Sequence, residues 1–200
     1  MENLKNWHFI LASGSPRRRE LLAMLDIDFT VDTSHKVDEI VPDGAVTSPE
    51  DIPAYLSQIK AEAYRGSLRK GDLLITADTV VILDGRVLGK PSDNQDARKM
   101  LRDMSGRSHT VVTGVSILTD ENLMTTFAER TEVEFSKLTD EEIDYYVEHY
   151  TPLDKAGAYG IQEWIGAAAV KRIDGSFYNV MGLPVNRLYR ELKNLLSRSN

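Results

Sequence analysis

The chain has 200 residues, of which 42% are hydrophobic and 28% charged, a composition typical of a globular protein large enough to bury a core. It has no cysteine, which excludes disulfide bonds, a thiol nucleophile and zinc sites with thiolate ligands. The formal net charge is −7 and neither half is basic, so we expect no nucleic-acid partner. No apolar run approaches the roughly 20 residues that span a bilayer, and the N-terminus lacks a signal-peptide pattern, so we expect no membrane partner and a cytoplasmic location.

The first half of the chain alternates strand and helix patterns. The predicted elements are, in order, a strand over residues 8–12, a helix that begins at Pro16 with Ser15 as its N-cap, a strand over 29–32, a polar loop over 33–47, a helix from the capped start at 48–51 to about Ser67, and a strand over 73–83 that turns at Asp84-Gly85 into a partner strand over 86–88.

The second half continues the alternation. The predicted elements are a helix over 94–104, two long strands over 108–118 and 124–135, a helix from the capping box at Thr139 to about Tyr150, a hairpin of strands 167–173 and 177–180 around Asp174-Gly175, and a final helix over 184–196. No repeat or linker interrupts the pattern. We therefore expect one α/β domain over residues 1–200, with a mixed twisted sheet flanked by helices.

An arginine-rich turn follows the first predicted strand. Residues 11–19 read LASGSPRRR, so a small flexible turn leads into a helix whose first turn carries Arg17, Arg18 and Arg19. Backbone N–H groups at a helix N-terminus attract anions, and arginines there have the wrong sign for the helix dipole. A bound small anion would remove that conflict, whereas a solvated helix face is the alternative. The Gly-Lys-Ser/Thr of a P-loop is not present.

The strongest predicted strand carries an aspartate near its middle. Alternation places Thr76, Asp78 and Val80 on one face of this strand. A carboxylate buried there is costly unless it is paired, hydrogen-bonded or bound to a metal. Asp78 is therefore a candidate metal ligand or general base, and an aspartate that hydrogen-bonds to backbone is the alternative.

Other charged residues lie near these segments. Lys90 follows the predicted hairpin, Lys60 lies on the second predicted helix, and Glu39 lies in the polar loop. Composition alone favours a surface position for each, and only a shared site would make them functional. Residues 154–162, DKAGAYGIQ, combine glycines, small side chains and polar groups without periodicity, which is typical of a binding loop or of a plain connection.

In combination, these segments resemble the Maf family of nucleotide pyrophosphatases. The matching motifs, in the family's order, are LASGSPRRRELL (11–22), the Lys60 helix, ADTVVILDGRVLGKP (77–91), SGRSH (105–109), LTDEEIDYYV (138–147), DKAGAYGIQ (154–162) and VMGLP (180–184). Each motif alone is modest, but their conjunction covers essentially the whole chain and is specific.

The resemblance implies an elongated, two-lobed fold similar to inosine triphosphate pyrophosphatases, with a central cleft and often a homodimer. It implies hydrolysis of nucleoside triphosphates to the monophosphate and pyrophosphate with a divalent cation, Mg²⁺ or Mn²⁺. By match to the family motifs, Asp78 is the expected proton acceptor. The residues expected at the phosphates are Ser13, Arg18, Lys60 and Lys90, and those expected at the metal are Glu39 and Asp78.

Three positions divide the family by substrate. Arg17, Thr79 and Gln162 resemble the dTTP/UTP pyrophosphatases, whereas the branch similar to 7-methyl-GTP pyrophosphatases usually has Trp in place of Arg17. A glutamine amide both donates and accepts hydrogen bonds, which suits a uracil or thymine edge. We expect dTTP, UTP and modified pyrimidine nucleotides as substrates in a house-cleaning role. The alternative is a non-catalytic nucleotide-binding regulator of septum formation. Trp164 either lines the base pocket or packs.

Overall fold

The computed structural model describes residue 4 and residues 6–198. The strands are β1 (His8–Leu11), β2 (Phe29–Val31), β3 (Asp72–Leu83), β4 (Arg86–Leu88), β5 (Ser108–Thr119), β6 (Met124–Phe135) and β7 (Val170–Asp174). The helices are α1 (Pro16–Ala23), α2 (Ile52–Glu62), α3 (Asn94–Met104), α4 (Asp140–Tyr150), α5 (Trp164–Ala169), α6 (Phe177–Met181) and α7 (Val185–Arg198).

Within this part of the chain the strands form one mixed sheet, in the order β2-β1-β3-β5-β6-β7, with β4 paired to β3. The predicted α/β class is confirmed. In the described residues, no helix is both long and apolar enough to cross a bilayer. The chain divides into two compact units, the first made of described residues in Met1–Asp78, Thr113–Glu129 and Gly182–Asn200, and the second of Thr79–Val112 and Arg130–Met181.

In the first unit, β1 pairs in parallel with β2 and with β3. Leu11 lies opposite Val31 on one side and Ile75 on the other. β1 after His8 and residues 72–78 of β3 are buried throughout, as expected for strands covered on both faces. Since the pairing is parallel, β1 ends beside β3, three residues before β3 reaches Asp78. Ligands of open α/β sheets bind beyond such strand ends.

Helix α2 approaches the sheet of the first unit very closely at Gly114 on β5. A Cβ atom at Gly114 would lie 2.2 Å from the backbone nitrogen of Ala54 and 2.2 Å from the carbonyl carbon of Pro53. Backbone atoms cannot give way as a flexible side chain can, so this position admits only glycine. The contact fixes the distance between α2 and the sheet.

In the second unit, α3 and α4 cover a core that includes residues of β3, β5 and β6. The two helices are also joined by ion pairs, with Arg98 Nε 2.5 Å from Asp144 Oδ1 and Arg102 Nε 2.6 Å from Asp140 Oδ1. The bounds predicted for α3 match the structure, and the predicted capping box at Thr139 is present with Glu142 as its partner.

Two predictions are wrong. Helix α2 ends at Glu62 and not near Ser67, because the following residues form tight turns and Gly66 has a φ of +83°. The predicted last hairpin does not form, since residues 164–169 and 177–181 are helical and β7 pairs with β6. The buried amide of Asn179 explains part of this result, because its Nδ2 donates to the carbonyl of Val111 (3.2 Å) and to Oγ1 of Thr131 (3.0 Å), which holds α6 in place.

Candidate active site

The turn between β1 and α1 is held by its own hydroxyl groups. Ser13 Oγ accepts a hydrogen bond from the backbone N–H of Ser15 at 3.3 Å. Ser15 Oγ accepts from the N–H of Arg18 at 3.5 Å, so Ser15 is the N-cap and Pro16 the first helical residue, as predicted. The first turn of α1 has no acidic residue, and a Cβ on Gly14 would meet no atom within 4 Å. The helix N-terminus therefore has space for an anionic group beside Gly14.

The guanidinium of Arg18 ties this turn to two other segments of the first unit. Its Nε donates to the carbonyl of Gly182 at 2.9 Å, and its Nη1 donates to the carbonyl of Ala77 at 2.8 Å and to Ser13 Oγ at 3.4 Å. Burial lowers the pKa of Arg18, and the negative charge of Asp78 acts in the opposite direction. Arg18 thus places a positive charge beside Asp78.

Lys60 on α2 bridges two carboxylates. Its Nζ lies 2.7 Å from Asp78 Oδ1 and 3.0 Å from Glu39 Oε1. The side chains of Lys60 and Asp78 are 16% and 13% exposed, whereas that of Glu39 is 56% exposed. The ammonium compensates the burial of Asp78, which would otherwise be strongly unfavourable. The three groups, far apart in sequence, converge on one point.

The packing of α2 on β3 explains this convergence. Ser57 and Lys60 are three residues apart and lie on one face of α2, opposite Thr76 and Asp78, which alternate along β3. Thr76 Oγ1 donates to the carbonyl of Ser57 at 2.6 Å, parallel to the contact of Lys60 with Asp78. The shared face of Thr76 and Asp78 is as predicted. Composition alone favours a surface position for Lys60, but the packing of α2 places Lys60 against the buried Asp78.

The structure places the nine predicted site residues in two groups. In the first unit, the contacts above connect Ser13, Arg18, Glu39, Lys60 and Asp78, and Arg17 is half-buried in the first turn of α1. In the second unit, Thr79 is half-buried, Lys90 is exposed in the segment between β4 and α3, and Gln162 is exposed in a turn. The catalytic, binding and specificity roles of all nine stay predictions.

In the second unit, the segment that carries Lys90 lies beside the short 3-10 helix Ala156–Ala158, since the N–H of Gly157 donates to the carbonyl of Gly89 at 3.0 Å. Trp164 is half-buried against the core of this unit and meets Tyr145 edge-on, with ring centroids 5.0 Å apart. Of the two alternatives for Trp164, this geometry favours packing.

Several groups at the site were missed by the sequence reasoning. The carbonyl oxygens of Ala77 and Gly182 accept hydrogen bonds from Arg18. Every residue has a backbone carbonyl, so the residue type does not reveal this role, although Ala77 and Gly182 both lie in matched motifs. The loop that carries Glu39 is anchored near its start, because Tyr64 Oη donates to the carbonyl of Asp32 at 3.0 Å and the ring of His35 lies 4.2 Å from that of Tyr64. Because Tyr64 is far in sequence from Asp32 and His35, the local sequence pattern did not predict this anchor.

Asp78 and Glu39 fit a divalent cation as a donor set. Mg²⁺ binds through one or two protein carboxylates, waters and substrate phosphates, and Mn²⁺ also prefers oxygen ligands. One oxygen of each carboxylate lies within 3.0 Å of the same nitrogen, Lys60 Nζ, so the two carboxylates already share one cation. Across residues 4 and 6–198, no cluster of three or more His, Asp or Glu side chains is arranged to hold a metal.

Comparison with known proteins identifies the family. A family model described as Maf-like protein matches residues 8–195. The chain belongs to the Maf-like protein family. Two of its relatives, from Bacteroides thetaiotaomicron and Porphyromonas gingivalis, are both named dTTP/UTP pyrophosphatase. They are 54% identical to this chain over 193 and 195 residues, covering 96% of it and 98% and 96% of their own lengths. The predicted family resemblance is confirmed.

A solved structure, of the Staphylococcus aureus Ham1 protein, aligns with a TM-score of 0.44 at 15% identity, over 64% of this chain and 71% of that one. At this score the similarity supports no conclusion about function. Any such conclusion comes from membership of the Maf-like family and from the geometry of the site.

Proposed function

We propose that this protein is a pyrophosphatase that hydrolyses dTTP and UTP to the nucleoside monophosphate and pyrophosphate. The observation that carries the proposal is the contact of Lys60 with both Asp78 and Glu39, beside the guanidinium of Arg18. This arrangement offers a base, two cations for phosphates and two metal-binding carboxylates. The substrate class comes from the two relatives named dTTP/UTP pyrophosphatase.

In the proposed reaction, the carboxylate of Asp78 takes a proton from a water molecule that attacks the α-phosphorus. A bond forms between the water oxygen and that phosphorus, and the bond to the oxygen bridging the α- and β-phosphates breaks, so that pyrophosphate leaves. Lys60 and Arg18 offset the negative charge that develops on the leaving group. Ser13 and the N-terminal N–H groups of α1 orient the phosphates.

A divalent cation, Mg²⁺ or Mn²⁺, held by Asp78 and Glu39, supplies charge neutralisation on the phosphate oxygens when it is bound. Lys60 already contacts both carboxylates through one nitrogen. The side chain of Lys60 is long and flexible enough to turn its ammonium toward a phosphate. Lys60 therefore takes part in binding both the metal and the nucleotide.

The finer parts of the proposal concern specificity and the cellular setting. Arg17, Thr79 and Gln162 select a pyrimidine base, modified pyrimidines included, and Lys90 contributes to phosphate binding. The protein acts in the cytoplasm, as a homodimer, without nucleic-acid or membrane partners. Sedimentation of the purified protein tests the dimer, since a single species at the mass of one chain would contradict it.

A pyrophosphate-release panel tests the function. The full chain is assayed with dTTP, UTP, 7-methyl-GTP and ITP, with Mg²⁺ and with Mn²⁺. We expect dTTP and UTP to be hydrolysed at least about tenfold more efficiently than the two purine nucleotides, because a base-edge hydrogen bond discriminates by this factor or more. Preferred hydrolysis of 7-methyl-GTP would refute the pyrimidine assignment. Nucleotide binding without any release would instead support a non-catalytic regulator of septum formation.

A further inference from the structure

Gln162 lies in a four-residue turn whose two ends are closed by hydrogen bonds. The N–H of Glu163 donates to the carbonyl of Gly160 at 3.0 Å, so residues 160–163 form a tight turn with Ile161 and Gln162 at its centre. Ile161 is 4% exposed and points into the core of the second unit, whereas Gln162 is exposed. The turn therefore buries one central side chain and presents the other to solvent.

One hydroxyl group holds both ends of this turn. Tyr146 on α4 is fully buried, and its Oη accepts from the N–H of Gly160 at 3.0 Å while donating to the carboxylate of Glu163 at Oε2. Burial and, to a lesser extent, this hydrogen bond to Glu163 raise the pKa of Tyr146. The hydroxyl group therefore remains a neutral donor at all ordinary pH values. The turn is thus attached to a rigid helix at its first and last residues.

The other oxygen of Glu163 pairs with a buried cation. Lys155 Nζ lies 3.1 Å from Glu163 Oε1, and the side chains of Lys155 and Glu163 are only 9% and 18% exposed. Lys155 also contacts Asp154 Oδ1 at 2.8 Å, but that carboxylate is 57% exposed and well solvated. A buried lysine that loses Glu163 is left with the more solvated carboxylate of Asp154, so the charge pair opposes movement of Glu163.

The backbone around Glu163 leaves little room for another arrangement. A Cβ on Gly160 would lie 2.8 Å from Glu163 Cδ, so the carboxylate rests directly against the turn. A Cβ on Gly166 would lie 1.7 Å from the carbonyl oxygen of Ile161, so the first turn of α5 is packed onto the same segment. Glu163 is the N-cap of α5 but makes no side-chain capping bond to it, and its two carboxylate oxygens contact Tyr146 and Lys155 instead.

We infer that Glu163 is a positioning residue for base selection, whose carboxylate, held by Tyr146 and Lys155, fixes the turn that presents Gln162. The inference rests on the proposed function, in which the Gln162 amide recognises a pyrimidine. Glu163 itself does not touch the substrate. It acts by restricting the turn to one conformation, so that the amide of Gln162 loses little freedom when the base binds.

The test is a double-substitution cycle on UTP hydrolysis. E163A removes the contacts to Tyr146 and Lys155, and Q162A removes the amide. We expect E163A to raise KM for UTP about tenfold with kcat changed less than about twofold, since a disordered turn weakens base binding and leaves the phosphate chemistry intact. In the Q162A background, E163A is expected to have almost no further effect, because there is then no amide to position.

Three further variants separate positioning from general destabilisation, with thermal unfolding recorded for each. E163Q keeps an oxygen that accepts from Tyr146 and should recover part of the affinity, whereas Y146F should behave like E163A. E134A, which removes a surface partner of Lys171 in the same unit, is the matched control and should leave KM unchanged. If E163A fails to fold, E163Q and Y146F decide the question in the same cycle with Q162A.

Multiplicative losses in the cycle, or a loss confined to kcat, would overturn the role of Glu163 while leaving the pyrophosphatase assignment in place. Failure of the unsubstituted protein to hydrolyse UTP and dTTP would refute the proposed function, and this inference with it.

Discussion

Lys60 Nζ lies 2.7 Å from Asp78 Oδ1. This pair joins helix α2 to strand β3 at Asp78, the last residue of β3 that belongs to the first unit. Both side chains are largely buried, so each charge depends on the other. Glu39 reaches the same ammonium from the loop after β2, and Arg18 lies close enough for its pKa to respond to Asp78. Lys60 is therefore the shared partner of two carboxylates in the first unit.

Replacing Asp78 with asparagine should abolish turnover while leaving nucleotide binding largely intact. The amide keeps the shape of the side chain but cannot accept the proton of the attacking water, and loss of a general base typically costs about 10²–10⁴-fold in rate. Pyrophosphate release measures kcat, and calorimetry with a non-hydrolysable UTP analogue measures binding. D103N, at a carboxylate that pairs with Lys99 on α3, is the control. Full activity of D78N would refute the assignment of the base.

Replacing Lys60 with methionine should tighten Mn²⁺ binding to the nucleotide-free protein and lower its turnover. Lys60 Nζ lies within 3.0 Å of both carboxylates and competes with a metal for them, so its removal takes away the ammonium that the two carboxylates share. We expect at least about a tenfold gain in Mn²⁺ affinity, a modest fraction of the Coulomb energy of two charges at this distance. Electron paramagnetic resonance titration of free Mn²⁺ measures the gain. K99M should leave the affinity unchanged, and unaltered or weaker binding by K60M would contradict the shared site.

Replacing Gly114 with alanine should destabilise the protein and reduce its activity. The added methyl would lie 2.2 Å from backbone atoms of Pro53 and Ala54, so α2 must move away from the sheet and carry Lys60 with it. Overpacking of this kind costs about 1–3 kcal/mol. Chemical denaturation measures the free energy of unfolding, and G89A, whose Cβ would meet no atom within 4 Å, is the control for stability. Equal stability of G114A and G89A would show that the helix is not fixed at this contact.

His109 should make the stability of the protein depend on pH below neutrality. Burial lowers the pKa of His109 to about 4, and the ring, 2% exposed, lies 2.7 Å through Nε2 from Tyr159 Oη. Because the unfolded ring binds a proton near its ordinary pKa of about 6.5 and the folded ring only near 4, the folded state loses stability as pH falls between these values, by about 3 kcal/mol. Above about pH 6.5 the ring is neutral in both states, so this loss of stability is absent.

Denaturation midpoints between pH 7 and pH 4 test the role of His109. H109Q keeps a polar group near Tyr159 without titrating and should flatten the curve, although its stability at pH 7 is lower. H149Q, at an exposed histidine on α4, should follow the unsubstituted protein. A curve of unchanged slope for H109Q would assign the pH dependence to other groups.

The sequence by itself determined most of the local structure. Ser15 and Pro16 set the start of α1, Thr139 and Glu142 set the start of α4, and Asp84-Gly85, both at positive φ, set the turn between β3 and β4. These signals act over four residues or fewer, so no distant contact is needed to interpret them. The ordered motifs likewise predicted the family, because their conjunction over the whole chain is specific.

Only the tertiary structure decided which charges meet. Lys60 and Asp78 are 18 residues apart, and their contact depends on how α2 packs against β3, which neither segment encodes alone. The same holds for Glu163, whose carboxylate joins Tyr146 on another helix. The wrong hairpin has a similar cause, because residues 177–181 adopt the helix that lets Asn179 reach two distant strands. Burial makes such polar contacts obligatory, and burial is a property of the packed chain rather than of a local pattern.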